Sequence, residues 1–351
     1  MKLLAIILCI FLVSGCSTTG YIMKQGWGQL KLQWKSEKND KLLTSNDISE
    51  ETKFKIRLIE DAKKFFEHYF AINVGGIYSK TTMLDNEAVT WLVIASAPDK
   101  VEAKEFDFPF VGSFPYIGFF SKDDAEDFRL GLEKDGQITY MRPVFAYSTL
   151  GHLEDRILSS FFHYDEIELV ELVFHELFHV AFFAKDEVDL NENLAQWFAN
   201  ALLDEYFKDS ALLKKYRETQ GREKKLEQKL VQLGLMLREE FDKMRPNINA
   251  EKANLHAARF VREILVPVIQ EACREAGWVG KECPDDAKKW NQARLAAILT
   301  YEEEQNFIDA VATRHQLTPR DFLANLKSWY KEWEKNPQRE EEFMLFLKKK
   351  T

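Results

Sequence analysis

The stretch that decides the fold is Glu171–Asn200, with the sequence ELVFHELFHVAFFAKDEVDLNENLAQWFAN. It contains an H-E-x-x-H motif at residues 175–179, inside a run of hydrophobic side chains. Neither Pro nor Gly occurs from Asp165 to Asp186. Since Asp is a preferred residue at the start of a helix, the pattern predicts a buried helix that Asp165 caps.

The two histidines of the motif suit a metal ion. On a helix, His175 and His179 lie one turn apart and point the same way, so both imidazoles can bind one ion. Glu176 follows the first of them and is placed to take a proton from water at the metal. A chance match to so short a motif would usually fall on a solvated helix, whereas this helix is apolar.

Glu192 is the predicted third ligand, because a catalytic zinc takes three protein ligands and keeps one position open for water. It follows a polar turn and begins a second apolar helix that runs to about Phe207. A tight turn between antiparallel helices would return Glu192 to the histidine face, with Asn191 as the cap and small Ala195 permitting close approach. The alternative is a surface carboxylate that the helix dipole stabilises.

The H-E-x-x-H motif and the N-E-x-x-A sequence at residues 191–195 together resemble the zincins that use glutamate as the third ligand, the broad class of thermolysin and the zinc aminopeptidases. The gap between the motifs is shorter than in the best-known of these. The short gap is similar to that of the bacterial putative aminopeptidase family of lipid-anchored envelope proteins. Four further segments carry this resemblance: FPFVG at 108–112, YIGFF at 116–120, AYSTLG at 146–151 and NQARLA at 291–296.

The resemblance covers nearly the whole mature chain and implies a mostly helical α+β fold of the zincin type. It implies a small β-sheet beside the H-E-x-x-H helix and a helical C-terminal half. We expect one peptidase domain over residues 49–351, divided into 49–208 and 209–351, after a tether and helix at 16–48. Because an edge strand of the zincin sheet pairs with extended substrate, Val144–Tyr147 is the predicted cleft wall.

The implied activity is hydrolysis of peptide bonds with one Zn²⁺ held by His175, His179 and Glu192. Glu176 would act as general base and then as general acid. Tyr147 is the first candidate for the donor that stabilises the oxyanion, and Tyr301 is the second, although each residue could equally be a core aromatic. Asp189, Glu154 and Asp155 are possible hydrogen-bond partners of the ligand histidines.

The sequence leaves the type of peptidase open. An aminopeptidase must recognise a free α-amine, and the Gly-x-Met-Glu-Asn motif of the best-known zinc aminopeptidases is absent. Glu171, one turn before His175, could bind the amine or could face solvent. The alternatives to an aminopeptidase are an envelope endopeptidase of the same mechanism and a non-catalytic lipoprotein that binds zinc.

Residues 1–15 have the pattern of an export signal. Lys2 precedes the apolar run Leu3–Val13, which is too short to span a membrane as a stable helix. The sequence Val-Ser-Gly-Cys at 13–16 resembles the bacterial lipoprotein processing site, so Cys16 is the predicted lipidation site and the membrane a predicted partner. Ser17 favours the outer membrane by the same resemblance, and we expect a lipid-anchored protein of the bacterial envelope on the periplasmic face of that membrane. The alternative is an ordinary signal peptide with an incidental cysteine.

Charge and the remaining cysteines limit the other functions. The net charge is −9, which argues against a nucleic-acid partner. Cys273 and Cys283 flank a short polar loop, and in an oxidising periplasm they could form a disulfide. The pair matches no zinc-binding spacing.

Overall fold

A computed structural model describes residues 16–108, 112–146, 155–185, 187–300, 305–336 and 342–350. The described part is mostly helical and contains three small β-sheets, an α+β arrangement. Its helices are α1 (Cys16–Trp34), α2 (Asn39–Thr44), α3 (Glu50–Phe70), α4 (Lys122–Lys134), α5 (Glu166–Ala181), α6 (Val188–Phe207), α7 (Ala211–Met244), α8 (Ala250–Phe260), α9 (Val266–Ala276), α10 (Gln292–Leu299), α11 (Gln305–Arg314), α12 (Pro319–Glu334) and α13 (Phe343–Lys348). Its strands are β1 (Ser36–Lys38), β2 (Lys80–Thr82), β3 (Thr90–Ser96), β4 (Phe106–Phe108), β5 (Gly112–Phe114), β6 (Ile117–Phe119), β7 (Ile138–Val144) and β8 (Ile157–Leu158).

Side-chain caps fix the beginnings of two helices in the N-terminal half. Ser49 accepts a hydrogen bond from the N–H of Thr52 at the start of α3. Ser121 accepts one from the N–H of Asp124 at the start of α4. Because such a bond satisfies a first-turn N–H that has no partner within the helix, these residues favour helix starts. Both starts are predicted by the sequence and are confirmed.

Helix α3 buries one side against the central core. Ile56, Ile59 and Phe66 are fully buried there, as the hydrophobic pattern predicts. The same hydrophobic pattern also predicts Phe54 on this side, but Phe54 is 43% exposed, so this prediction is wrong.

The two larger sheets have three strands each, in the orders β1–β2–β8 and β6–β3–β7, and β4 pairs with β5 in a hairpin. The β6–β3–β7 sheet is antiparallel and packs against α4 and α10. The sheet that shares a hydrophobic core with α5 is β1–β2–β8, through Ile157 and Leu158. The strand predicted over Val89–Ala97 is β3, at the centre of its sheet.

Helix α5 contains the H-E-x-x-H motif and packs between α3 and α6. Asp165 begins it with a capping box: its carboxylate accepts the N–H groups of Ile167 and Glu168 at 2.9 Å each, and the Glu168 carboxylate accepts the N–H of Asp165 at 2.9 Å. The predicted cap is therefore confirmed. Val170, Val173 and other apolar residues of this helix are fully buried, so the motif stands on a rigidly packed element.

The helices after residue 210 form a second core and then return to the first. Helix α7, predicted to be mostly a solvated face, buries a leucine-rich stripe against α8 to α10. A π-helical turn at residues 261–265 separates α8 from α9 just before Pro267, where a bend was predicted. Cys273 and Cys283 are joined by a disulfide, with Cα atoms 5.7 Å apart.

Helices α11 to α13 pack against the first core. Ile308, Phe322 and Phe343, one from each helix, are fully buried in the cluster that contains α5 and α6. The helices that surround the motif therefore come from both ends of the chain. Among the described helices, none has the combined length and hydrophobicity that crossing a bilayer requires.

Candidate metal centre

Asn191 closes the turn between the two helices of the centre. Its side-chain amide donates to the carbonyl of Ala184 at 2.7 Å, and its Oδ1 accepts the N–H of the same residue at 2.8 Å. The prediction that Asn191 caps the second helix was wrong, because α6 already begins at Val188. Asn191 instead ties the first turn of α6 to the end of α5, which brings Glu192 back over the histidine face.

A second contact fixes the first turn of α6 from the C-terminal side of the chain. Glu187, at the N-cap position, makes no side-chain cap. Its carboxylate accepts the N–H groups of Phe343 and Met344 at the start of α13. Burial, partly offset by these two bonds, raises the pKa of Glu187. Two separate anchors therefore position the turn that precedes Glu192.

The three predicted ligands converge. The Nε2 atoms of His175 and His179 lie 3.3 Å apart. Oε2 of Glu192 lies 3.2 Å from Nε2 of His175, and Oε1 lies 3.5 Å from Nε2 of His179. His179 is buried, whereas the side chain of Glu192 is half exposed. The centre is therefore closed on the helix side and reachable from solvent on the Glu192 side.

These separations fit a zinc ion. With tetrahedral bonds of about 2.0–2.1 Å, neighbouring donor atoms lie about 3.3 Å apart. Nε2 of His175 lies 3.3 Å from Nε2 of His179 and 3.2 Å from Oε2 of Glu192, and two imidazoles with one carboxylate are a common zinc ligand set. Three is also the number of protein ligands that a catalytic zinc takes. Both the chemistry and the spacing of the donors suit the ion.

The protonation of His179 and Glu192 also suits a cation, whereas the raised pKa of His175 favours a ring that must lose its proton before it binds an ion. Burial lowers the pKa of His179 to about 4, so the ring is neutral at neutral pH, as metal binding requires. Burial also opposes the charged form of His175, but the hydrogen bond to Glu192 and nearby carboxylates outweigh it and raise its pKa. Burial alone would raise the pKa of Glu192. The hydrogen bond to His175 and electrostatic attraction to the two imidazoles outweigh this effect, so the pKa is lowered. The Glu192 carboxylate therefore stays ionised.

Two tyrosines near Glu176 belong to no sequence motif, so the sequence alone did not single them out. Tyr78 is fully buried, and burial followed by the charge of Glu176 holds its pKa well above the usual value. It has a φ of 57°, which is unusual for an aromatic residue, and its N–H donates to the Asp155 carbonyl at 2.8 Å. Tyr164 is partly buried, and its pKa is raised by burial, then by Glu168, with a smaller contribution from Glu176.

The end of β7 approaches the same region. The Phe145 ring stacks on His163 with centroids 4.2 Å apart and contacts Tyr164 edge-on at 6.2 Å. The described segment just after β7 therefore contacts Tyr164, and the cleft wall over Val144–Tyr147 stays a prediction. Three candidates from the sequence lie outside the described residues: Tyr147, Glu154 and Tyr301.

The hydrogen-bond partners that were predicted for the ligand histidines are not found at His179. Its Nδ1 atom is buried and has no hydrogen-bond partner among the described residues. Asp155 and Asp189, both within the described part, therefore do not bond to it. Nearby, Asp189 accepts the side-chain amide of Asn193 through its main-chain carbonyl at 2.8 Å.

Glu171 lies one turn before His175 in a network of neutral donors. Nε2 of Gln196 donates to its Oε1 at 2.7 Å, and the hydroxyl of Tyr216 donates to its Oε2. Gln220 donates to the Tyr216 hydroxyl at 2.9 Å and to Glu171 at 3.5 Å. Burial and then the charge of Glu171 raise the pKa of Tyr216, so this phenol remains a donor. Gln196, Tyr216 and Gln220 carry no sequence motif.

A comparison with protein families gives a match over most of the chain. The family model described as Putative aminopeptidase matches residues 20–345. No curated protein and no solved structure matches the chain. The matched range contains α5 and α6 with all three candidate ligands, as well as Glu171 and its three donors. The chain therefore belongs to the putative aminopeptidase family, which is a family of peptidases by its description.

Proposed function

We propose that the protein is a zinc-dependent aminopeptidase of the zincin type. Membership of the family supports peptide hydrolysis, and the observation that carries zinc dependence is the convergence of three donors. The ligating atoms of His175, His179 and Glu192 all lie within 4.8 Å of one another. They come from two helices that are held by separate hydrogen bonds, so the arrangement is built into the fold.

The residues of the centre have different roles in the proposed reaction. His175, His179 and Glu192 would hold the ion. Zinc in such a centre brings the pKa of water to about 7 and polarises the substrate carbonyl. Glu176 takes a proton from the attacking water and gives it to the leaving amine, so it is a general base and then a general acid. Helix α5 places Glu176 directly after the first ligand in the chain.

A hydrogen-bond donor should meet the carbonyl oxygen as negative charge develops on it. Tyr147 remains our first candidate for this role, on the chain just beyond the described end of β7. Tyr164 is the alternative within the described residues, because it is only partly buried and lies close enough to sense Glu176. Tyr78 is enclosed in the core and cannot contact substrate. We therefore propose that it packs near Glu176 and helps to fix the structure there.

Glu171 supports exopeptidase action. Its carboxylate accepts bonds from three neutral groups and forms no ion pair with a Lys or Arg among the described residues. A helical turn places it about 6 Å from His175 along the axis. Because positions 171 and 175 share one helix face, we propose that the Glu171 carboxylate binds the ammonium group of the first substrate residue through a charged hydrogen bond.

The peptidase proposal is tested by removing and restoring the metal. We expect the purified protein to contain one zinc per chain, to lose peptide cleavage on treatment with a chelator, and to regain it when zinc is returned. Elemental analysis and digestion of a mixed peptide library measure both quantities. Protein that binds zinc but cleaves no peptide would instead be the non-catalytic lipoprotein. Protein that stays metal-free in excess zinc would refute the metal centre.

The exopeptidase proposal is tested with Glu171→Gln. We expect kcat/KM for peptides with a free amine to fall about 10- to 100-fold, mostly through KM, because a charged hydrogen bond is lost. Cleavage of the same peptides with an acetylated amine should be negligible before and after the change. Glu166→Gln, an exposed position on the same helix, serves as the control. Equal cleavage of free and acetylated peptides by the unaltered protein would establish the endopeptidase alternative.

We further propose that the enzyme acts in the bacterial envelope, anchored through an acyl chain on Cys16. The support is the sequence before α1, which combines Lys2, the apolar run Leu3–Val13 and the Val-Ser-Gly-Cys site. We place it at the outer membrane because Ser17, rather than Asp, follows the cysteine. Mass spectrometry of the mature N-terminus would show the acylated cysteine or exclude it.

A further inference from the structure

Helix α1 is docked on the body by one face. The Tyr21 hydroxyl donates to the Gly118 carbonyl at 2.7 Å, and Oε1 of Gln25 accepts the N–H of Phe120 at 3.3 Å. At Gly28 a Cβ atom would collide with the Phe120 ring, so the helix approaches β6 closely at this point. The docked positions 21, 25 and 28 recur at intervals of four and three, which is the spacing of a single helix face. This face fixes the rotation of α1 about its axis.

The opposite face carries an apolar stripe. Trp27, Leu30 and Trp34 are 59%, 48% and 70% exposed, and their spacing of three and four again defines one face. At about 100° per residue, this face lies roughly opposite the docked one. The two indole rings are in edge contact, with centroids 5.5 Å apart. Large side chains so exposed in a contiguous stripe mark an interaction surface.

The charges beside the stripe are already paired. Lys31 and Lys35 form ion pairs with Asp85 at 3.0 and 2.7 Å. Lys24 forms one with Asp124 at 2.8 Å. The basic groups on this flank are thus balanced by carboxylates of the body, and the chain as a whole has a net charge of −9. Whatever covers the stripe must therefore be held by apolar contact rather than by attraction to the lysines.

We propose that the Trp27–Leu30–Trp34 stripe lies on the membrane, with its side chains inserted between the lipid headgroups and the acyl chains. Tryptophan suits this depth because its ring is apolar and its N–H remains able to meet water or headgroups. Helix α1 begins at Cys16, and the inference rests on the anchor proposed at that residue. Trp27 lies about 16 Å along the helix axis from Cys16. If the axis runs parallel to the membrane surface, the acyl anchor and the stripe therefore meet the membrane at the same depth.

The consequence is a fixed orientation of the enzyme. An acyl chain alone tethers the body but leaves it free to turn, whereas an inserted helix face adds a second line of attachment. Since the opposite face of α1 is bonded to β6 and the segment after it, the body follows the orientation of the helix. The stripe acts as an interfacial membrane contact, separate from the metal centre and independent of peptide hydrolysis.

Depth-dependent fluorescence quenching tests the proposal. The full chain, processed in a bacterial host and purified, is mixed with vesicles of phosphatidylethanolamine and phosphatidylglycerol, with or without brominated acyl chains. We expect brominated lipid to quench part of the emission of the eight tryptophans. The double variant Trp27→Phe/Trp34→Phe should lose most of the quenched part, because Phe keeps the stripe apolar while removing the two reporters. Trp278→Phe, a partly buried residue that packs against the second core, should leave quenching unchanged.

A second experiment introduces a negative charge into the stripe. Leu30→Glu should reduce the quenching severalfold in otherwise unaltered protein, and added salt should have little effect on the unaltered protein. Peptidase activity in detergent should be the same in all these variants, so failure of the stripe and failure of the peptidase are distinguishable. The proposal is overturned if brominated lipid does not quench, if the double variant is quenched as before, or if sedimentation shows that a second copy of the chain covers the stripe.

Discussion

Replacing Glu176 with Gln is expected to lower kcat for peptide cleavage by about 10²- to 10⁴-fold, the usual contribution of a general base. Gln has the shape of Glu but cannot accept the proton of the attacking water. The ligating atoms of His175, His179 and Glu192 do not depend on this carboxylate for their positions, so the zinc content should be unchanged. The measurement is kcat on a peptide with a free amine, together with elemental analysis of the same sample.

The matched control for this experiment is Glu166→Gln, because Glu166 is exposed in the first turn of the same helix. Its activity should stay within twofold of the unaltered protein, a margin of about 0.4 kcal/mol in activation free energy. If Glu176→Gln cleaved peptides at the original rate, the assigned mechanism would be wrong. If it lost its zinc, Glu176 would be a ligand or a structural support and not the base.

The second large effect is expected at Glu192. Glu192→Ala removes one of three donors, so zinc affinity should fall by more than the roughly 10- to 100-fold that loss of an outer partner of a ligand costs. Activity should fall with it at limiting zinc. Competition with a chromophoric chelator measures the affinity, and activity is followed as a function of zinc concentration.

Asp189→Asn provides the control for this change. Asp189 is exposed on α6, almost one turn before Glu192, and its side chain does not bond to the buried Nδ1 of His179. Its zinc affinity should therefore match that of the unaltered protein. Unchanged zinc binding in Glu192→Ala would show that the carboxylate is a surface residue at a helix start, which is the alternative that the sequence leaves open.

The sequence was sufficient for features that depend on a few neighbouring residues. Asp165 begins α5 and Ser49 begins α3 because a cap is a bond between residues two or three apart. The two histidines share a face for the same reason, since helix geometry alone relates positions 175 and 179. The mostly helical α+β architecture, which the family resemblance implied, is also confirmed for the described residues.

Features that depend on packing between distant segments were harder to predict from the sequence. Whether Asn191 caps a helix or closes a turn depends on where α6 begins, and the polar residues before it permit several starts. Tyr216 and Gln220 lie on α7, in a highly charged stretch where periodicity cannot show which polar side chain meets another helix. The buried leucines of the same helix were underestimated because the surrounding charges dominate the local composition.

The contact between Glu187 and α13 has a consequence for the order in which the protein matures. A ribosome makes the three zinc ligands well before it makes the N–H groups of Phe343 and Met344, which follow Glu187 by 156 and 157 residues. Until these groups arrive, the first turn of α6 lacks one of its two anchors. Under the proposed function, we therefore expect full affinity for the ion only after the segment that contains Phe343 and Met344 has folded back onto α6.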